Sequence, residues 1–80
     1  AILIAARAIA RMKLGRVDHE TTANVGIITG GTATNIIPAQ CYLKCEARSR
    51  SQAKLDKQRE HMIACFQEEA TAAGVTINWA

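Results

Sequence analysis

Residues 30–50 read GGTATNIIPAQCYLKCEARSR, and the second half of that stretch decides the fold. From Ala39 to Arg48 the pattern alternates. Cys41, Leu43, Cys45 and Ala47 fall on one side of an extended chain, and Tyr42, Lys44, Glu46 and Arg48 on the other. Such a strand has one face on a core and one in water, as in an antiparallel sheet covered by helices on one side only. Pro38 has no backbone N–H to donate, so it belongs at the start of the strand or on an edge. Upstream, NVGIIT at 24–29 is short and β-branched and runs into Gly30 and Gly31. It reads as a second strand, joined to the first by a wide, irregular hairpin connection.

Working outward, Ile2, Ala5, Ile9 and Met12 recur at helical spacing with Arg7 and Arg11 roughly opposite, and Gly15 follows as a stop. On the other side Ser51 can cap a second helix, in which Leu55, Met62, Phe66, Ala70 and Ala73 form the apolar stripe and Gly74 ends it. The tail VTINWA alternates again and is expected to form a last strand. The order is then α-β-β-α-β. One more strand before Ala1 would make it β-α-β-β-α-β, the ferredoxin-like split unit: an α+β two-layer sandwich with two helices on one face of an antiparallel sheet. Ala1 already lies in a helical pattern without a lead-in, so residues 1–80 read as one domain cut from a longer protein, truncated before its first strand.

Composition narrows the function. Eighty residues bury only about two-thirds of their unfolded surface, which leaves little room for a complete enzyme with its own cleft. The net charge of +3 is dispersed, and Tyr42, Phe66 and Trp79 are the only aromatic residues. Nucleic-acid binding is therefore not expected, since base stacking needs aromatic platforms and phosphate binding a basic stripe. The opening apolar run is interrupted by Arg7 and Arg11 and is too short to span a bilayer, so no membrane partner is expected either. Three cysteines, Cys41, Cys45 and Cys65, sit in apolar patterns and read as buried, reduced thiols of a cytoplasmic protein.

No motif carries chemistry by itself, and no catalytic or metal-ligating residue is expected. Cys41 and Cys45 are about 13 Å apart along a strand, too far to bridge or share a metal. His19, between Asp18 and Glu20, reads as a solvated loop residue, and His61, beside Glu60 on the second helix, as a surface or boundary residue. ITGGTATN has glycines but neither the Gly-Lys-Ser/Thr ending nor a following helix, so it is a turn and not a phosphate cradle. Two residues stand out. Asn35 interrupts a β-branched, apolar run with a side chain that both donates and accepts. Arg48 ends the polar face of its strand with a planar fork suited to a carboxylate. From the residues alone, a turn-stabilising Asn and a strand-end Arg paired with a nearby acid is the simpler account.

The run GRVDHETTANVGIITGGTATNIIPAQCYLKCEARS, followed by a helix containing KLDKQREHM, resembles the dimerisation or lid domain of the di-zinc exopeptidases related to peptidase T, the tripeptide aminopeptidase. The most specific parts are VGIITGGTATNIIP and the EARS ending, and the likeness covers essentially all of the chain. Glutamate carboxypeptidases, acetylornithine deacetylase and succinyl-diaminopimelate desuccinylase belong to the same superfamily, so the lid of a related deacylase or carboxypeptidase is an alternative. A stand-alone protein-interaction module is a further one. The resemblance implies a parent whose catalytic domain holds two zinc ions and hydrolyses short peptides, with this piece inactive alone. It implies that Asn35 and Arg48 reach substrate, Arg48 gripping a carboxylate, and that a partner subunit supplies part of the site. It also implies a homodimer or other homo-oligomer. NVGIIT, with Val25 and Ile27 on one face, is the edge expected to pair. The family's carbonyl-polarising histidine would precede Ala1, so neither His19 nor His61 inherits that role.

Overall fold

The computed structural model describes residues 1–79. Helix α1 (Ile2–Arg11) is followed by a two-residue strand β1 (Gly15–Arg16). Strands β2 (Thr21–Gly30) and β3 (Cys41–Ser49) come next, then helix α2 (Gln52–Ala73). The sheet is antiparallel in the order β1-β2-β3. This is the expected α+β arrangement, with helices over one face of an antiparallel sheet.

The local signals act as their chemistry requires. The Ser51 hydroxyl accepts the Lys54 N–H and closes the first turn of α2, and Gly74 ends it at φ 70°, where a side chain would clash with the backbone. Helix α1 stops earlier than its glycine suggested. Met12 is already extended, and Gly15 at φ 77° opens β1, which pairs with Ala23 and Thr22 of β2.

Ala8, Met12, Ala23, Met62 and Cys65 form the core, with Leu14, Val17, Val25, Ala47 and Phe66 packed against it. Small residues at Ala8 and Ala23 let helix and sheet approach closely. The buried polar groups are paired. Thr21 and Ser49 share a hydrogen bond across the ladder, 2.9 Å long, and the Gln58 amide donates to the Lys13 carbonyl at 2.8 Å. The His61 Nε2 accepts the Lys13 N–H at 3.1 Å, so α2 satisfies both backbone groups of the residue that leaves α1. Farther along, Arg11 donates to Glu68 and to Glu69, tying the two helices together.

Four sequence expectations change. The tail does not form a strand: residues 75–79 are irregular, and Ala80 lies outside the described residues. Alternation makes a strand only where a neighbouring strand supplies a ladder, and residues 75–79 pair with none of the described strands. Cys45 is exposed, not core. It faces the helix layer, but on the strand that borders the sheet, beyond the reach of the core; Cys41 is half-buried and Cys65 buried. Within the helical stripes Ala5, Met12, Met62 and Ala70 are buried as expected, but Ile2 and Ala73 are exposed, and Ala8, Cys65 and Gln58 are buried beside them.

The fourth change concerns β2. The register runs Val25 opposite Cys45, then Ile27 opposite Lys44, with Gly26 left over as a bulge. Side chains alternate with period two, so one extra residue moves everything after it to the other face. Val25 therefore shares the inner face with Ile28, opposite Leu43, whereas Ile27 joins Lys44 on the outer face. Val25 and Ile27 are not on one face.

Candidate substrate clamp and association edge

The hairpin extends well past the core. The radius of gyration is 13.5 Å, where a compact domain of this length would have about 12 Å. At its root, Thr21 and Ala23 are buried; toward its tip Ile27, Ile28, Tyr42 and Lys44 are exposed. The connection, residues 31–40, folds back through a turn in which the Ile36 N–H bonds the Ala33 carbonyl at 3.3 Å. Gly31, at φ 89°, and Gly30 start it. A Cβ on Gly30 would lie 3.1 Å from the Gln40 carbonyl oxygen and 3.2 Å from Ile2 Cγ1, so glycine is what lets the start of α1 seat against the hairpin.

Asn35 occupies the third position of that turn. It is exposed, and its amide makes no hydrogen bond to another described residue. Ile36 and Ile37 beside it are also exposed, Ile37 at 90%. Arg48 is at the other end of the hairpin, opposite Thr22. It is seven residue steps along β3 from Cys41, about 24 Å at the usual rise. The structure therefore does not bring Asn35 and Arg48 together within one chain.

Arg48 lies on the outer face, away from the helices, with Glu46, Asn24 and Thr22. Its Nε donates to Glu46 Oε1, and its two terminal nitrogens make no hydrogen bond to a described residue. The group is open to solvent, and its exposed ion pair by itself contributes little to stability. What the arrangement can do chemically is offer two parallel N–H groups to a planar anion.

The remaining titratable groups look structural. His19 is a solvated loop residue beside Glu20, with 3.1 Å between Nε2 and Oε1. Asp18 accepts the Glu20 N–H at 2.8 Å, and this backbone bond holds its carboxyl below the usual range. Desolvation pushes the Cys45 and Cys65 thiols above their ordinary value. Among the described residues no three His, Cys, Asp or Glu side chains gather as a metal site. None of the described helices is long and apolar enough to cross a membrane.

The edges of the sheet are the other open feature. β1 covers only Thr22 and Ala23 of β2, so from Asn24 to Gly30 the outer edge of β2 has no ladder partner among the described residues. The far edge of β3 is likewise unpaired. The β-branched run marks NVGIIT as a strand and the family resemblance makes it the pairing edge, but β1 is too short to show periodicity in the sequence. Sequence reasoning also missed the Gly26 bulge, for which a glycine inside a strand pattern was the available signal.

The family model for the peptidase dimerisation domain matches residues 1–73. The chain belongs to the peptidase dimerisation domain family. The uncharacterized protein YqjE of Bacillus subtilis (strain 168) is 47% identical over 74 residues. That match takes in 92% of this dimerisation domain and 20% of YqjE. The crystal structure of the aminopeptidase PepT from Bacillus cereus superimposes with a TM-score of 0.90 at 46% identity, covering 91% of this chain and 20% of that one. A tripeptidase from Staphylococcus aureus gives 0.87 at 48% identity, covering 89% and 19%. The dimerisation domain thus spans about one fifth of the length of each of these relatives.

Proposed function

We propose that this dimerisation domain serves as the association and substrate-clamping lid of a cytoplasmic, zinc-dependent aminopeptidase that hydrolyses short peptides, tripeptides among them. The observation that carries the association part is the uncovered edge of β2 from Asn24 to Gly30. A strand edge with free N–H and C=O groups pairs readily with a copy of itself across a two-fold axis, extending the sheet through both subunits. Val25 and Ile27 then lie along the interface, one on each face of the joined sheet. The reading is supported by membership of the dimerisation family and by the likeness to an aminopeptidase and a tripeptidase.

Arg48 clamps the substrate carboxylate, and Asn35 orients the peptide or its tetrahedral intermediate. Their separation within one chain supports a site shared between subunits, each copy giving one residue to a given site. A clamp at the carboxyl end sets the distance to the scissile bond, which turns a binding contact into exopeptidase specificity. In this reading the two zinc ions are held by a separate catalytic domain of the whole peptidase, and hydrolysis depends on that domain. The three free thiols accord with a reducing compartment.

Light scattering over a range of concentrations tests the association. A stable dimer is expected, and a folded monomer at every concentration would remove the β2 edge from the reading. In the whole peptidase, Arg48→Ala is expected to lower kcat/KM for free-carboxylate tripeptides by about tenfold or more, as for a lost charged hydrogen bond. Unchanged kcat/KM would remove the clamp.

A further inference from the structure

The clamp reading leaves Glu46 without a role, and this inference rests on that reading. Glu46 is two residues before Arg48 on the same outer face, and its Oε1 accepts the Arg48 Nε–H. Both side chains are largely exposed, Arg48 at 79%. Apart from Glu46, no described residue hydrogen-bonds the guanidinium. A long exposed side chain samples many rotamers, and a bidentate grip needs one orientation of one plane. Glu46 occupies the Nε edge of the fork and leaves the two terminal nitrogens without a hydrogen bond to a described residue. A shallow recess of about 240 Å³ is lined by Gly15, Thr22, Ala23, Asn24 and Glu46. Thr22 is the cross-strand neighbour of Arg48, and Asn24 that of Glu46. The only acid lining the recess is thus already engaged with Arg48.

We propose that Glu46 is a positioning residue for the clamp: it holds the guanidinium so that a substrate carboxylate meets Arg48 end-on, through its two terminal nitrogens. Two opposed effects decide whether this holds. Fixing the fork saves ordering entropy when substrate binds, whereas the charge of Glu46 repels the incoming carboxylate. In an exposed, water-screened position the repulsion is weak, so orientation dominates and removal of Glu46 impairs the grip.

The test compares a tripeptide with its C-terminal amide in the whole peptidase, reading the ratio of their kcat/KM values. The variants are Glu46→Ala, Glu46→Gln, Arg48→Ala and the Glu46→Ala/Arg48→Ala double. Glu46→Ala is expected to lower the preference for the free carboxylate by about two- to fivefold, the range of one exposed charged pair. Glu46→Gln restores most of it, because its amide oxygen accepts the same Nε–H. In the Arg48→Ala background, Glu46→Ala has no further effect, as required of a residue acting through Arg48. If Arg48→Ala lowers the preference and Glu46→Ala leaves or raises it, the positioning role is overturned and the clamp stands. If Arg48→Ala leaves the preference unchanged, the clamp falls and the positioning role with it.

Discussion

The two ends of the β2–β3 hairpin are built from similar residues and treated very differently. At the root, Ala23, Val25 and Ala47 lie under Met12, Met62 and Cys65, and Thr21 and Ser49 bond across the ladder. At the tip, Ile27, Ile28, Tyr42, Ile36 and Ile37 are exposed, Ile27 at 54% and Ile28 at 49%. Strand pattern alone does not separate them. What differs is which part of the sheet the helices cover, and so the root carries the stability of the domain while the tip and its open edge are free for association.

Variants can break or sharpen that contrast. Met62→Ala, at the root, removes a buried side chain from the centre of the core and is expected to cost about 2–4 kcal/mol in urea unfolding. That is a large share of the stability of so small a domain. Gly30→Ala acts where root and tip are joined by α1. The added methyl must push aside the Gln40 carbonyl and Ile2, and a loss of about 1–2 kcal/mol is expected by the same measurement. A change near zero would mean that α1 does not seat there.

Ile27→Lys, at the tip, is expected to leave unfolding of the monomer within about 0.5 kcal/mol while weakening self-association seen by sedimentation, because it places a charge beside the open edge. A comparable loss of monomer stability would show that the tip is part of the core after all. The smallest effect belongs to Asp18. Its folded pKa is depressed by the Glu20 N–H, so it contributes stability above its unfolded pKa of about 3.9, and loses it as pH falls through the lower, folded value. Asp18→Asn is expected to unfold slightly earlier than wild type at pH 7, with the difference vanishing toward pH 3 in thermal melts. A gap that persisted at acid pH would assign the effect to shape and not to charge.

Much of this was readable in the sequence. The alternation of 41–48 gave the orientation of β3 correctly, including Arg48 on the wet face, and the stripe and caps of α2 located that helix. The paired acid proposed for Arg48 is there, as Glu46, and Asn35 does sit in a turn, although its side chain bonds nothing in it. The exposure of Cys45 was not readable, because an apolar residue at an inward position looks the same whether or not a helix reaches over it.

By itself the sequence determined those features that depend on consecutive residues: two helices, the capping residues of α2, two long strands, and the faces of β3. Period and capping are local, set by backbone geometry over a few residues. Only the tertiary structure decided the rest. The Gly26 bulge exists because β3 offers one residue where β2 has two, and it sends Val25 and Ile27 to opposite faces. The strand expected at the tail is irregular because a strand is made by its neighbour's hydrogen bonds as much as by its own alternation. The distance between Asn35 and Arg48 follows from the hairpin register, and a register is a property of two segments, which the pattern of neither one contains.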